Sequence, residues 1–228
     1  MSDLKDWIAS SEAADWIGVV LWFLVFPVYH ATYPFLVRAL PGRTTKGRVD
    51  IYRRSWIERM LERGDVLVGV HQTRNLTMVN SLLASSALIL MGFTANAVLQ
   101  APGEGNTAAA KLLTEPGNMH KLWLLIVVFG VAFTYFMAAL RHLGFFNIMI
   151  GADPKVVEEH EGSSTDFYVG LISRASSRYT NGVRCFYSAF PIFMWVFNAW
   201  LFIGMTTFFA IKFIGFQDFA HAWVKPSA

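Results

Sequence analysis

Apolar runs without a charged residue alternate with polar segments along the chain, over residues 16–37, 76–100, 122–140 and 185–211. A helix of about 20 residues, rising about 1.5 Å per residue, crosses a hydrocarbon layer of about 30 Å. Each run is long enough for one crossing, and flanking apolar residues extend some of them. The pattern therefore predicts four membrane-spanning helices over about 16–37, 66–100, 122–150 and 184–211.

Two further stretches have the pattern of an amphipathic helix. In the first, about 48–63, Val49, Tyr52, Trp56 and Met60 recur at helical spacing among basic residues. In the second, about 164–179, an apolar residue recurs every four positions after a capping box at 163–166, and Thr180-Asn181-Gly182 ends the helix. A basic amphipathic helix lies along lipid headgroups or docks on the protein itself, and both alternatives are open for the first stretch.

These elements predict an all-α, multi-pass membrane protein with four transmembrane helices in one bundle and two amphipathic helices on the cytoplasmic side. Residues 1–228 then form a single membrane domain. The composition agrees, because 54% of the residues are hydrophobic and 15% are charged, whereas soluble domains have about 25% charged residues. The chain has one cysteine, Cys185, which excludes an internal disulfide.

The distribution of Lys and Arg predicts the orientation. The connections after the first and third spans hold thirteen of these residues, against five in the N-terminal tail, the second connection and the C-terminal tail together. Because Lys and Arg are enriched in cytoplasmic loops, the first and third connections are expected in the cytoplasm and both termini outside. The expected location is the cell membrane, which in a bacterium is the inner membrane.

Polar and charged residues interrupt the apolar pattern at one height of the predicted bundle, and we call this height the polar level. His71, Gln72, Arg74 and Asn75 lie in the second span, and Arg141 with His142 lies at a similar height in the third. His30 of the first span and Arg184 of the fourth can reach the same height. No Asp or Glu lies within the predicted spans to neutralise these cations. Since an uncompensated cation deep in a bilayer is costly, we predict that Arg74 is deep and partnered, with Asn75 and Arg141 or His142 nearby.

Three interpretations of this level are open. The cations could anchor the helices at the headgroup layer. They could form a cytoplasmic site for an anionic ligand or lipid, with Gln72, Arg74, Asn75, Arg141 and Arg184 as its residues. The histidines could instead hold a metal or a haem, with His30, His71 and His142 as candidates.

The function expected from these residues is binding or assembly in the membrane, through the anionic-ligand or lipid site. An anion channel or transporter is the alternative, and a haem- or metal-binding protein is a minor one. The chain has no G-x-S-x-G, H-E-x-x-H or Gly-rich phosphate loop, so no enzyme activity is indicated and no cofactor is expected. Expected partners are membrane lipids, anionic lipids among them, and further copies in a homo-oligomer or a larger membrane complex, but not nucleic acid.

Small and polar residues within the spans predict how the helices pack. Ser81, Ser85 and Gly92 belong to a small-residue stripe on the second span, which would let another helix approach closely. Asn80 and Asn198 are amides inside apolar spans, and we expect them to form hydrogen bonds between helices.

Three segments of the chain resemble one known family. They read GVHQTRNLTMVNSLLASSALIL, RHLGFFNIMIG and NGVRCFYSAFPIFMW. They resemble the integral membrane proteins of the domain-of-unknown-function family 599, over a region from about Trp56 to Trp195. The resemblance implies a four-helix membrane protein in which Arg74 and Asn75 belong to the family motif. It implies no activity.

Overall fold

The computed structural model describes residues 11–40, 43–99 and 115–219, and these residues are almost entirely helical. The helices are α1 (Ser11–Phe23), α2 (Tyr29–Ala39), α3 (Thr45–Arg63), α4 (Val66–Leu99), α5 (Met119–Met149), α6 (Pro154–Glu161), α7 (Ser164–Phe197) and α8 (Ala199–Ile211). A π-helical segment, Leu24–Val28, joins α1 to α2, and another, Lys212–Gln217, continues α8. The only strand-like pairing in the described part is one isolated bridge between Thr44 and Phe219. The predicted all-α class is confirmed.

Four helical stretches are long and apolar enough to cross a membrane: Glu12–Ala39, Val66–Leu99, Met119–Met149 and Ala199–Gln217. The first three correspond to the first three predicted spans. The fourth begins later than the predicted span over 184–211. Residues 184–197 of that predicted span belong to α7, which ends at Phe197, and α8 begins only at Ala199.

Asn198 breaks the predicted fourth span in two. Its backbone is extended, with φ −163° and ψ 137°, and its side-chain oxygen accepts a hydrogen bond from the Trp200 N–H at 2.7 Å. Asn198 is therefore the N-cap of α8 and not an interhelical amide, so the role predicted for it is wrong. The predicted end of the second amphipathic helix at 180–182 is also wrong. Gly182 lies inside α7, where a Cβ would come within 2.8 Å of the Phe136 ring, and its absence lets α5 and α7 approach closely.

Helices α7 and α8 form an antiparallel hairpin with Asn198 at its tip. Near the tip, the Trp195 and Phe202 rings stack with their centroids 4.7 Å apart. Farther from it, Tyr187 contacts both Phe209 and Phe213. Residues farther from Asn198 on α7 contact residues farther from Asn198 on α8. The two helices are therefore antiparallel.

This hairpin places the two ends of the described chain at opposite ends of the bundle. Asp15 accepts a hydrogen bond from Trp195 Nε1 at 2.6 Å near the tip of the hairpin, whereas Phe219 pairs with Thr44 beside α3. We call these the hairpin end and the α3 end. That both termini lie outside the cell, and which end of the bundle faces the cytoplasm, stay predictions.

Helix α5 is the centre of the bundle and packs against both α4 and α7. Its buried face includes Phe129, Phe136 and Phe146. Helix α1 packs on α8, where a Cβ on Gly18 would come within 2.6 Å of the Phe202 ring. Because lipid tails are as apolar as these side chains, close packing at such contacts stabilises the bundle more than transfer out of water does.

Helix α3 docks on the protein, but only part of its predicted apolar face takes part in the contact. Ile57 and Met60 are buried in a cluster that includes Phe146 and Tyr168, but Val49 and Tyr52 are exposed. On the adjoining side, Arg53 donates hydrogen bonds to Ser173 Oγ at 3.1 Å and Ser176 Oγ at 3.0 Å. These contacts hold α3 against the N-terminal half of α7 at one end of the bundle.

Candidate functional site

Three of the predicted site residues, Gln72, Arg74 and Asn75, lie on the exposed face of α4. Thr73 between them is buried against α5 and contacts Asn147. Arg74 has no hydrogen bond or ion pair with any described residue, so the predicted partners of Arg74 are not found in the described part of the chain.

The height of Arg74 explains how it can be exposed. Ala97 of α4 and Leu122 of α5 line one cavity near the hairpin end, where Trp195 donates a hydrogen bond to Asp15 and its carbonyl oxygen accepts one from Lys121. Arg74 lies about 35 Å from Ala97 along the helix, at about 1.5 Å per residue. A hydrocarbon layer of about 30 Å that began at Ala97 would end before Arg74 and leave it at headgroup height.

The three histidines proposed as metal ligands do not converge. His71 is exposed on α4, His142 is half-buried on α5, and His30 lies on α2 with its ring stacked on Phe26. Within the described ranges, no three side chains of His, Cys, Asp or Glu come close enough to hold a metal ion.

The predicted small-residue stripe of α4 is also displaced around the helix. Ser81, Ser85 and Gly92 are exposed, and the face packed on α5 carries buried Ala84 and Ala87 instead. Asn80 is buried on this packed face, but its amide nitrogen donates to Leu76 O in its own helix at 2.9 Å. The expected homo-oligomer, which would use an outer surface such as this stripe, stays a prediction.

Arg184, by contrast, is buried and neutralised by a carboxylate that lies beyond the predicted spans. Its guanidinium pairs with Asp218, and the two side chains are 7% and 3% exposed. Tyr29 donates a hydrogen bond to the second Asp218 oxygen at 2.8 Å, and the guanidinium lies 4.5 Å from the centre of the Tyr33 ring. No Asp or Glu lies within the predicted spans, but the fold brings Asp218, which lies beyond them in the sequence, to Arg184.

The depth of Arg184 gives the physical reason for this pairing. Arg184 lies about 21 Å from Asn198 along α7, whereas Arg178 lies about 30 Å and Arg174 about 36 Å from it. A hydrocarbon layer of about 30 Å that began at Asn198 would contain Arg184, where an isolated charge is costly, and would end near Arg178 and before Arg174. Only the deep cation requires a buried partner.

Arg174 and Arg178 line a basic cavity of about 450 Å³ at the α3 end. Lys46 and Asp50 of α3 form one wall, and His142 of α5 contributes another side. The remaining lining groups are the hydroxyls and the amide of Ser173, Ser177 and Asn181. Neither arginine has an ion pair with a described carboxylate, although the Arg178 guanidinium lies 5.9 Å from the Tyr135 ring centre.

The acidic residue in this wall is already paired. Asp50 accepts a hydrogen bond from Arg53 at 2.5 Å, so it does not neutralise the other cations fully. Burial lowers the pKa of Lys46, Asp50 opposes this shift, and the charges of Arg184, Arg53 and Arg38 reinforce it. Lys46, Arg174 and Arg178 together therefore make a positive field into which an anion would be drawn.

An apolar cavity of about 540 Å³ adjoins the basic one. It lies between the α1–α2 segment, α5 and α7, and its walls include Phe23, Pro27, Leu124, Val131 and Arg184. Asn181 lines both the basic and the apolar cavity. A third cavity of about 470 Å³ shares Val131 and Tyr135 with the apolar cavity. It also shares Arg178 with the basic cavity, so the three cavities are neighbours along α5 and α7, and we call them together the groove.

Only some of the predicted site residues line the groove. Arg184 and His142 line it, while Arg141 is exposed with its guanidinium 5.3 Å from the Phe145 ring centre. Lys46, Arg174 and Arg178 line the basic cavity but were not among the site residues predicted from the sequence. The spacing of Arg174, Arg178 and Asn181, with Ser173 and Ser177 each directly before an arginine, marks one polar helix face and could have indicated them.

Comparison with known proteins gives a family and no characterised relative. No curated protein matches the chain. No solved structure matches it either. The model of the family described as "Protein of unknown function, DUF599" matches residues 17–222, which is most of the chain and includes all three segments noted in the sequence. The chain therefore belongs to the DUF599 family of proteins of unknown function.

Proposed function

We propose that this protein binds an anionic amphiphile of the bilayer in the groove between α5 and α7. The anionic head lies against Lys46, Arg174 and Arg178, and the apolar chain lies between the α1–α2 segment and α5. The observation that carries the proposal is that a basic cavity at the α3 end shares lining residues with an apolar cavity that lies toward the hairpin end.

The charges of the basic cavity favour an anion over a cation or a neutral headgroup. Arg174 and Arg178 lie one helical turn apart, and each can present a planar fork of N–H donors to phosphate or carboxylate oxygens. Ser173, Ser177 and Asn181 add neutral donors on the same side of the cavity. Basic pockets between helices are a recurrent kind of site for anionic lipid headgroups.

The height of these residues favours a membrane lipid as the source of the anion. Arg174 and Arg178 lie about 30 to 36 Å along α7 from the hairpin tip, which is headgroup height for a hydrocarbon layer of about 30 Å. A lipid of the leaflet at the α3 end would therefore present its charged group at this level. If the charge bias of the connections sets the orientation, this leaflet is the cytoplasmic one.

Lipid binding by the purified protein tests the proposal. Native mass spectrometry in a mild detergent, with dioleoyl phosphatidylglycerol and dioleoyl phosphatidylcholine as probes, should show tighter binding of the anionic lipid. Changing both Arg174→Gln and Arg178→Gln should weaken phosphatidylglycerol binding about tenfold or more, since hydrogen bonds to charged groups contribute about 1.5–3 kcal/mol each.

A matched control variant loses the same number of positive charges, but at positions outside the groove. Arg59 and Arg63 are exposed on α3 and line none of the cavities described above. The variant with Arg59→Gln and Arg63→Gln should bind phosphatidylglycerol nearly as the unmodified protein does. Equal binding of the two lipids, or equal loss in both double variants, would contradict the proposed site.

A further inference from the structure

Lys212 is a cation within the fourth membrane-crossing stretch. It begins the π-helical segment after α8, inside the apolar stretch Ala199–Gln217. Its ammonium forms no ion pair or hydrogen bond with a described residue. Instead, Nζ lies 4.2 Å from the centre of the Tyr187 ring and 5.6 Å from that of Phe209. These cation–π contacts offset only part of the cost of a charge within a membrane span, so Lys212 needs a negative group from elsewhere.

The ammonium is reachable from outside the bundle. Lys212 is half-buried, and its Nζ is not among the enclosed polar atoms. Nearby, Phe190 and Phe208 are 43% and 58% exposed. Helix α8 packs on α7 and α1, and the exposed Gly204 on its free side has open space around its Cβ position, which lets a further helix come close. We call the surface formed by Tyr187, Phe190, Gly204, Phe208 and Lys212 the outer face of the hairpin.

The direction of the Lys212 side chain indicates where a negative group would have to lie. Side chains of an α-helix lean toward its N-terminus, and the N-terminus of α8 is at the hairpin tip. Tyr187 and Phe209, over which the ammonium lies, are each about 17 Å from Asn198 along their helices, at about 1.5 Å per residue. A hydrocarbon layer of about 30 Å that began at Asn198 would have its middle near this height, and a lipid phosphate at its far side would be about 13 Å away.

A second copy of this chain offers no free carboxylate at this height among the described residues. In the four membrane-crossing stretches, the acidic residues are Glu12 and Asp15, both at the hairpin end. The acidic residue of α7, Asp166, lies in its first turn, far from Asn198. Asp218 is buried in its pair with Arg184. The complementary charge therefore has to come from a different protein.

We propose that the outer face of the hairpin binds a membrane-spanning helix of another protein, which carries an Asp or Glu near its middle. The carboxylate pairs with Lys212 while the Tyr187 ring stays against the ammonium. Charge complementarity inside the hydrocarbon layer selects this partner, because the headgroups of lipids carry their charge at a different height. The inference is independent of the proposed lipid binding, since neither Lys212 nor Tyr187 lines the groove.

Association with designed membrane peptides tests the inference. The probe is a polyleucine peptide of about 20 residues with one Asp at its centre, and a matched peptide has Asn there. Energy transfer from a dye on a cysteine at Thr45, in a Cys185→Ser background, measures binding in dioleoyl phosphatidylcholine vesicles. The Asp peptide should bind about tenfold tighter, because Asn keeps the shape and the hydrogen bonding but lacks the charge. Equal affinities for the two peptides would overturn the inference.

Variants of Lys212 assign the preference to its charge. Lys212→Met removes the charge and should bind the two peptides equally, whereas Lys212→Arg should still prefer the Asp peptide. Lys155→Met is the matched control, because it removes an exposed lysine of α6 and should leave the tenfold preference unchanged. A preference for the Asp peptide that persists in Lys212→Met would overturn the inference.

Lipid binding distinguishes a helix from a headgroup as the partner of Lys212. By native mass spectrometry, Lys212→Met should bind as many molecules of dioleoyl phosphatidylglycerol as the unmodified protein does. Loss of a bound phosphatidylglycerol in this variant would assign Lys212 to a lipid and overturn the inference. The function proposed for the groove would be unaffected, since it depends on Arg174 and Arg178.

Discussion

Arg184 and Asp218 form an ion pair inside the bundle although 34 residues separate them. The pair ties the middle of α7 to the end of the π-helical segment after α8, and Tyr29 attaches the first membrane segment to the same carboxylate. The backbone around Asp218 continues this junction, because Thr45 N–H donates to Asp218 O at 3.1 Å at the start of α3. Four parts of the chain therefore meet at Asp218, three of them at its carboxylate and the start of α3 at its backbone carbonyl.

Removing the negative charge of this pair should destabilise the fold. Asp218→Asn leaves Arg184 buried without a counter-ion, and loss of one partner of a buried pair costs about 3–5 kcal/mol. Unfolding of the purified protein, followed by SDS titration in mixed micelles, measures this effect. Asp166→Asn removes a carboxylate from the exposed ion pair with Arg54 and should cost less than about 1 kcal/mol. Similar losses in the two variants would contradict a buried pair.

The contact between α5 and α7 at Gly182 should not accommodate a methyl group. Gly182→Ala places a Cβ within 2.8 Å of the Phe136 ring, and such overpacking costs about 1–3 kcal/mol. Gly170→Ala is the control in the same helix, because no atom lies within 4 Å of its Cβ position. There the change should be neutral or stabilising by up to about 1 kcal/mol, as expected for Ala in place of Gly inside a helix. The melting temperature of Gly182→Ala should therefore fall, and that of Gly170→Ala should stay the same or rise.

The hairpin predicts which residues share a side of the membrane. In a Cys185→Ser background, cysteines at Thr45 and Gln217 should react with a membrane-impermeant thiol reagent from the same side. A cysteine at Trp200, beside the hairpin tip, should react from the opposite side. A single span over 184–211 would instead place Gln217 opposite Thr45, so the labelling pattern distinguishes the two topologies. Reaction of Thr45 from the cytoplasmic side would also establish the orientation predicted from Lys and Arg.

Adjacent arginines of α3 should differ in their contribution to stability. Arg53 has a side chain that is 13% exposed and donates to Asp50, Ser173 and Ser176, so Arg53→Gln should cost about 1–3 kcal/mol. Arg54 is 51% exposed and pairs with Asp166 and Glu58 in solvent, so Arg54→Gln should cost less than about 1 kcal/mol. Thermal unfolding of the two variants tests whether α3 is held on α7 by Arg53. Equal effects would show that it is not.

Arg74 should accept lysine without loss. It is exposed on α4 with no partner among the described residues, and both Lys and Arg can extend a charged end from such a position into water. Folding yield and phosphatidylglycerol binding of Arg74→Lys should equal those of the unmodified protein. A marked loss in either measurement would restore the prediction from the sequence, in which Arg74 needs a planar guanidinium to hold a partner.

Periodicity and composition alone determined much of the architecture. The all-α class, the first three spans and the existence of a basic helix between the first two spans follow from the length of the apolar runs and from helical spacing. These features depend on interactions within one helix and on the thickness of a bilayer, so local sequence is sufficient for them. The family could also be predicted, because its three segments are contiguous stretches of the chain.

The tertiary structure alone decided where the charges lie relative to one another. An apolar run from 185 to 211 satisfies one long helix and a reversed pair equally well, and the Asn198 cap with the ring contacts behind it selects the pair. That reversal brings Asp218 to Arg184. The face that α4 packs on α5 likewise leaves Arg74 outside, and the docking of α3 brings Lys46 to Arg174 and Arg178. Such pairings depend on which faces of distant helices meet, and no local pattern contains that information.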